Sequence, residues 1–187
     1  MVFYIVVFND AEGMGSIKVT NQMLNRWKIS EETLKTDAQV NTPLLQPAKI
    51  CTLGHMICKL MGDKNMEQDS EELGFDIREA LEESNQIVLT NKSGINGFGA
   101  ILFDNCLYYI AERYGVEKLH ILPSSIHEGI IMPADNMDIS PDELQKMVCE
   151  VNNTVVLKEE LLSNSVYIYD KVTDRIDYAK KGDMSYV

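Results

Sequence analysis

The chain has 187 residues, 45% hydrophobic and 25% charged, a composition that excludes disorder and a fibrous architecture. Lys and Arg number 17 against 29 Asp and Glu, and the resulting net charge of -12 repels phosphate backbones and anionic lipid surfaces, so nucleic acid and membranes are not expected partners. A chain of this length buries about two thirds of the surface its unfolded form exposes, enough to fold as one domain without a disulfide or a metal.

Residues 3–8 and 16–20 are apolar, β-branched runs separated by Asn9, Asp10, Ala11, Glu12, Gly13, Met14 and Gly15, a connection with hairpin chemistry, so an antiparallel pair is predicted. The first run is too short to span a bilayer and lacks the basic start and small-residue cleavage site of a signal peptide. Four cysteines, Cys51, Cys58, Cys106 and Cys149, follow no disulfide framework. Reduced thiols in a cytoplasm are therefore expected.

From Asn21 the apolar period becomes helical, with Met23, Leu24 and Trp27 on one face. Ser30 is placed to cap a second helix through Leu34 and Ala38, which Pro43 is expected to stop. A third helix is predicted after Pro47, because Ile50, Leu53, Met56, Ile57, Leu60 and Met61 recur at steps of three and four up to Gly62. Residues 63–83 are rich in acid, with only Lys64 and Arg78 as bases, and read as a mobile acidic connection within one domain spanning 1–187.

Residues 86–90 read as a strand. A Gly-rich turn follows, then a helical segment ending at Gly115, with Leu102, Cys106, Leu107, Ile110 and Ala111 as its buried face. Residues 118–122 and 129–132 are strands, each stopped by a proline. Ser140, Pro141 and Glu143 have the spacing of a capping box, opening a helix that runs to Asn152. A short helix around residues 159–162 and a hairpin of residues 166–169 and 175–178 complete the chain. The fold class expected is α+β, a mainly antiparallel sheet flanked by helices.

Several segments carry a family resemblance: Val88-Leu89-Thr90-Asn91 with Asn96-Gly97, the string Ile121-Leu122-Pro123-Ser124-Ser125-Ile126-His127-Glu128, residues 148–152 and residues 166–170. Gly15-Ser16, Thr20-Asn21, Leu24, Trp27 and Asn41-Thr42-Pro43 extend it. In these residues the chain resembles the bacterial family called domain of unknown function 5688, in its C-terminal portion. The resemblance implies no activity, substrate or cofactor. It does imply that family members have a longer N-terminal portion than this chain, which would leave the strand at residues 3–8 as an exposed edge.

Three clusters could carry chemistry. Ser124, Ser125, Ile126, His127 and Glu128 hold every residue type of a hydrolytic triad. In an extended segment Ser125 and His127 share a face about 7 Å apart, while Glu128 points the other way, and triads are normally assembled from distant positions. The bland alternative is a loop whose hydroxyls bond the backbone. The second cluster, residues 92–99, is a Gly-rich turn between strand and helix, where Lys92, Asn96, Gly97 and Gly99 could hold a phosphate or carboxylate. Its G-x-x-G-x-G order is neither the dinucleotide fingerprint nor a Walker loop, and the glycines could equally supply positive φ and close packing. In the third, Cys51, His55 and Cys58 would share one face of the predicted helix and could offer a zinc ion three ligands, although cysteines in such a stripe are usually small core hydrophobes. His120, between Leu119 and Ile121, is expected to point away from them, exposed or partnered.

No cofactor and no metal are predicted. The leading functional expectation is a non-enzymatic cytoplasmic interaction or regulatory domain, with a protein partner or self-association through the N-terminal strand. The alternative is a small hydrolase or transferase where residues 92–99 meet residues 124–128.

Overall fold

The computed structural model describes residues 2–10, 13–53, 71–72, 85–135 and 139–180. The chain packs as two units, Met1–Gln46 and Pro47–Val187.

In the first unit β1 (Tyr4–Asp10) and β2 (Gly13–Lys18) form the predicted antiparallel pair, with Ile5 opposite Ile17. The register shifts between Val6 and Phe8, making Val7 the extra residue of a bulge. The ring of Phe8 covers Gly15, where an added Cβ would collide with it. Helix α1 (Asn21–Trp27) opens on Thr20, whose side chain accepts from Met23 N, and closes on Lys28 in the left-handed region. Helix α2 (Glu31–Leu45) opens on Ser30, whose Oγ accepts from Thr33 N at 3.1 Å. Pro43 does not stop α2 as expected. A proline removes a single donor, and Gln46 N bonding Thr42 O at 2.8 Å carries the last turn past it.

The second unit holds β3 (Ala48–Thr52), β4 (Glu71–Glu72), β5 (Ile87–Asn91), a 3-10 helix (Gly97–Leu102), α3 (Cys106–Tyr114), β6 (Lys118–Pro123), β7 (Gly129–Pro133), α4 (Pro141–Thr154), β8 (Val166–Asp170) and β9 (Arg175–Lys180). The strands form one sheet in the order β4-β3-β5-β7-β6-β8-β9, every pair antiparallel. The fold is α+β, as expected.

Alternation along the strands divides the core between the two faces of the sheet. Ile50, Ile87, Leu89, Leu119, Ile121 and Ile131 meet Leu107, Ile110 and Ala111 of α3. Leu122, Met132 and Val166 meet Leu144 and Val148 of α4. Ile87, Leu119, Ile121 and Ile131 are fully enclosed, and each such side chain contributes about 1.5–3 kcal/mol of burial free energy. Helix α4 carries the complete capping box: Ser140 Oγ accepts from Glu143 N, and Glu143 Oε2 accepts from Ser140 N at 2.8 Å.

Three local expectations are corrected. Residues 48–52 are a strand, paired with β5 from Ala48 opposite Asn91 to Thr52 opposite Ile87; helical backbone is reached only at Leu53, and the remainder of the predicted helix, residues 54–62, lies outside the described residues. An apolar run buried in a central strand has the composition of a buried helix, and here sheet pairing overrides the three-and-four spacing. Leu102 is 60% exposed, because it ends a 3-10 helix separated from α3 by a turn and so leaves the α3 stripe. Residues 158–160 form one turn in place of a helix, with Glu160 N and Leu161 N both donating to Leu157 O. Of the acidic stretch 63–83, only residues 71–72 are described.

Candidate functional site

Strand β5 lies beside β7, with Leu89 opposite Gly129, so the turn that leaves β5 and the loop that enters β7 emerge at the same end of the sheet. The sequence turns at Asn91 because its carboxamide organises the next residues. Asn91 Oδ1 accepts from Gly94 N at 2.8 Å and Ser93 Oγ at 3.0 Å, while Nδ2 donates to Ile95 O at 3.0 Å. Gly94 takes φ +70 in this turn. Gly97 serves contact instead: an added Cβ would collide with Thr90 Oγ1 and lie 2.6 Å from Asn91 N and His127 O.

Thus the structure brings residues 92–99 against residues 124–128. Thr90 Oγ1 donates to His127 O at 2.8 Å, and Phe98 N donates to Ile126 O at 3.3 Å. His127 Nδ1 accepts from Asn96 N at 3.1 Å, and Nε2 faces Glu160 Oε1 at 3.4 Å. Because Nδ1 is an acceptor here, the neutral ring carries its proton on Nε2. Ser125, buried, accepts from His127 N at 3.0 Å and donates to Glu128 Oε1 at 3.4 Å. Ser124 N and Ser125 N both donate to Glu128 O, closing the loop on itself.

This arrangement has a chemical consequence. A general base must offer a nitrogen lone pair to the hydroxyl it activates. The His127 lone pair is directed at the Asn96 amide, and the Ser125 hydroxyl is directed at Glu128. Similarly, an anion site in residues 92–99 requires unoccupied N–H groups, whereas Gly94 N, Ile95 N, Asn96 N and Phe98 N all donate within the protein. Lys92 N bonds Pro47 O at 2.9 Å. Lys92, Asn96 and Gly99 are exposed, and Gly97 is buried.

Cys51 lies buried in β3 instead of on a helical face, and His55 and Cys58 lie outside the described residues. Among the described residues no group of three or more His, Cys, Asp or Glu could hold a metal. Burial pushes the Cys106 thiol up to about 12, so it stays protonated and behaves as a small hydrophobe.

Sequence reasoning missed the second location of interest. His120 does lie on the sheet face opposite Leu119 and Ile121, but that face is covered, and the residue is only 5% exposed. Among the described residues its Nδ1 has no hydrogen-bond partner. Desolvation holds the imidazole below the usual histidine range, opposed by the backbone of Tyr167 and the charge of Asp135. The residue lines a depression of about 480 Å³ together with Lys118, Asp135, Ile139, Ser140 and Ile168. The signal in the sequence was a polar residue at one position of an otherwise apolar strand.

No helix among the described residues is long and apolar enough to cross a membrane. No curated protein and no solved structure matches the chain. A family model does match, over residues 1–171, and the chain belongs to that family of unknown function, DUF5688.

Proposed function

We propose that the protein is a non-enzymatic binding module of the bacterial cytoplasm, and that its β1–β2 hairpin docks another protein. The observation that carries this reading is the hairpin surface. Tyr4, Ile5, Val6, Val7 and Phe8 of β1 and Ile17 of β2 are all exposed. A two-stranded ribbon is marginal in water by itself, and apolar side chains on an edge strand gain from a partner that covers them or adds a strand. The absence of charge over residues 2–8 suits an apolar partner surface, in a chain whose acidity otherwise disfavours association.

The alternative, a hydrolase or transferase at the junction of residues 92–99 and 124–128, is supported by the meeting of those two loops. It is opposed by the occupied lone pair of His127. One paired experiment separates the two readings. Proteins bound by the wild-type chain are compared with those bound by Val7→Lys and Ile17→Lys, and hydrolytic turnover of generic ester and phosphoester substrates is compared between wild type and His127→Ala. The module reading expects a bound protein lost on both lysine substitutions and no turnover dependent on His127. Binding indifferent to both lysines, or turnover abolished by His127→Ala in a folded chain, overturns it.

A further inference from the structure

The first unit has strands and helices but no enclosed core. Among residues 2–8 and 15–45 none is buried, and β1 presents Tyr4, Ile5, Val6, Val7 and Phe8 to solvent. A two-stranded ribbon is marginal in water, and three or more strands with an apolar face are needed for independent stability. Among the described residues β1 pairs with β2 alone, so its other side is an open edge where further strands can add.

The hydrogen-bond pattern identifies the groups on that edge. Val19 N donates to Phe3 O at 2.9 Å, which makes Phe3 and Val19 a hydrogen-bonded pair and, by alternation, Ile5 and Ile17 the next. Tyr4 and Val6 therefore turn their N–H and C=O groups away from β2, toward the open edge. These groups fit a strand of the same sequence. In an antiparallel pair with a two-fold axis at Ile5, Tyr4 of each copy bonds Val6 of the other, and the two Ile5 side chains meet across the axis. Tyr4 against Val6 is a favourable aromatic and β-branched cross-strand pair. The bulge at Val7 falls outside the three residues that meet at the axis.

Charge favours the same partner. Residues 2–8 are centred on Ile5 and hold no charge, so this register sets no like charges opposite each other. Residues 1–46 contain four bases, Lys18, Arg26, Lys28 and Lys35, against five acids, so this unit carries one of the twelve net negative charges of the chain. Repulsion between exposed charges is screened beyond about 8 Å at physiological ionic strength. Two copies therefore meet with least repulsion through this unit.

We propose that the protein docked by the hairpin is a second copy of this chain, added antiparallel along β1 about a two-fold axis at Ile5 to give a four-stranded sheet in the order β2-β1-β1-β2, an assignment that rests on the hairpin reading and names its partner.

The test follows the molar mass of the full chain by sedimentation over a wide concentration range. Wild type is expected to pass from one chain mass to two. Ile5→Lys and Ile5→Glu each set like charges opposite each other at the axis and are expected to weaken self-association about tenfold or more. Mixed in equal amounts, the two variants are expected to recover the dimer, which neither misfolding nor a simple loss of apolar surface would produce. A wild type monomeric at every concentration overturns the assignment, and if that monomer still captures another protein that Val7→Lys releases, the hairpin reading stands without it. A dimer that persists in Ile5→Lys, or a mixture of the two variants that stays monomeric, also overturns it.

Discussion

The two described histidines of the second unit lie in opposite situations. His127 belongs to a loop rich in the residue types of catalysis, yet its Nδ1 bonds Asn96 N and its Nε2 faces Glu160. His120 belongs to an apolar strand with no motif around it, yet among the described residues its Nδ1 has no partner, and its ring borders a depression. The contrast teaches that residue types alone do not mark a site. A reactive group must also have a lone pair or proton left over after the fold has taken its share.

The largest expected effect is at Gly97, where the two loops touch. Gly97→Ala places a Cβ against Thr90 Oγ1, Asn91 N and His127 O, two of them backbone atoms that cannot swing aside. A loss of about 3 kcal/mol is expected in urea unfolding. Gly94→Ala, with φ +70 and open space around it, should cost about 1 kcal/mol. Equal losses at the two glycines would show that the loops do not meet as described. Next comes His127→Ala, which leaves Asn96 N without its acceptor and is expected to cost about 1–2 kcal/mol. A variant as stable as wild type would release His127 from its structural role.

His120 predicts a pH effect instead. Its folded pKa lies below the unfolded value of about 6.5, so the fold favours the neutral ring. The associated stability is fully present above pH ~6.5 and is lost as pH falls through the folded pKa, at a slope of at most about 1.4 kcal/mol per pH unit. Subtracting the profile of His120→Leu from that of wild type isolates this slope, and identical profiles would contradict the burial. An effect as small as that at Gly94 is expected at Ser140, on the rim of the depression. Ser140→Ala removes the cap of α4 at a cost of about 1 kcal/mol and should move the resonances of His120 but not those of His127.

The capping box at Ser140, the hairpin at the N-terminus, the strands around Val88 and Ile121 and the α+β class were all legible, because each rests on local spacing that tertiary packing reinforces. The strand at residues 48–52 was not. Its apolar residues satisfy a helical spacing, and only pairing with β5, far along the chain, decides between the two. The approach of residues 92–99 to residues 124–128 was legible from strand adjacency. The use of each hydrogen bond there was not, since Glu160, which receives both Ile126 N and the His127 ring, comes from a distant turn. His120 was misplaced for a related reason: alternation correctly assigns its sheet face, but only α4 packing on that face reveals its burial.

One spectrum tests the central contrast most directly, a long-range 15N–1H correlation of the imidazoles near neutral pH. His127 is predicted as the Nε2–H tautomer with Nδ1 accepting from the Asn96 amide, and His120 as a neutral ring whose Nδ1 accepts no hydrogen bond. A His127 carrying its proton on Nδ1, together with a His120 protonated near neutral pH, would contradict this contrast.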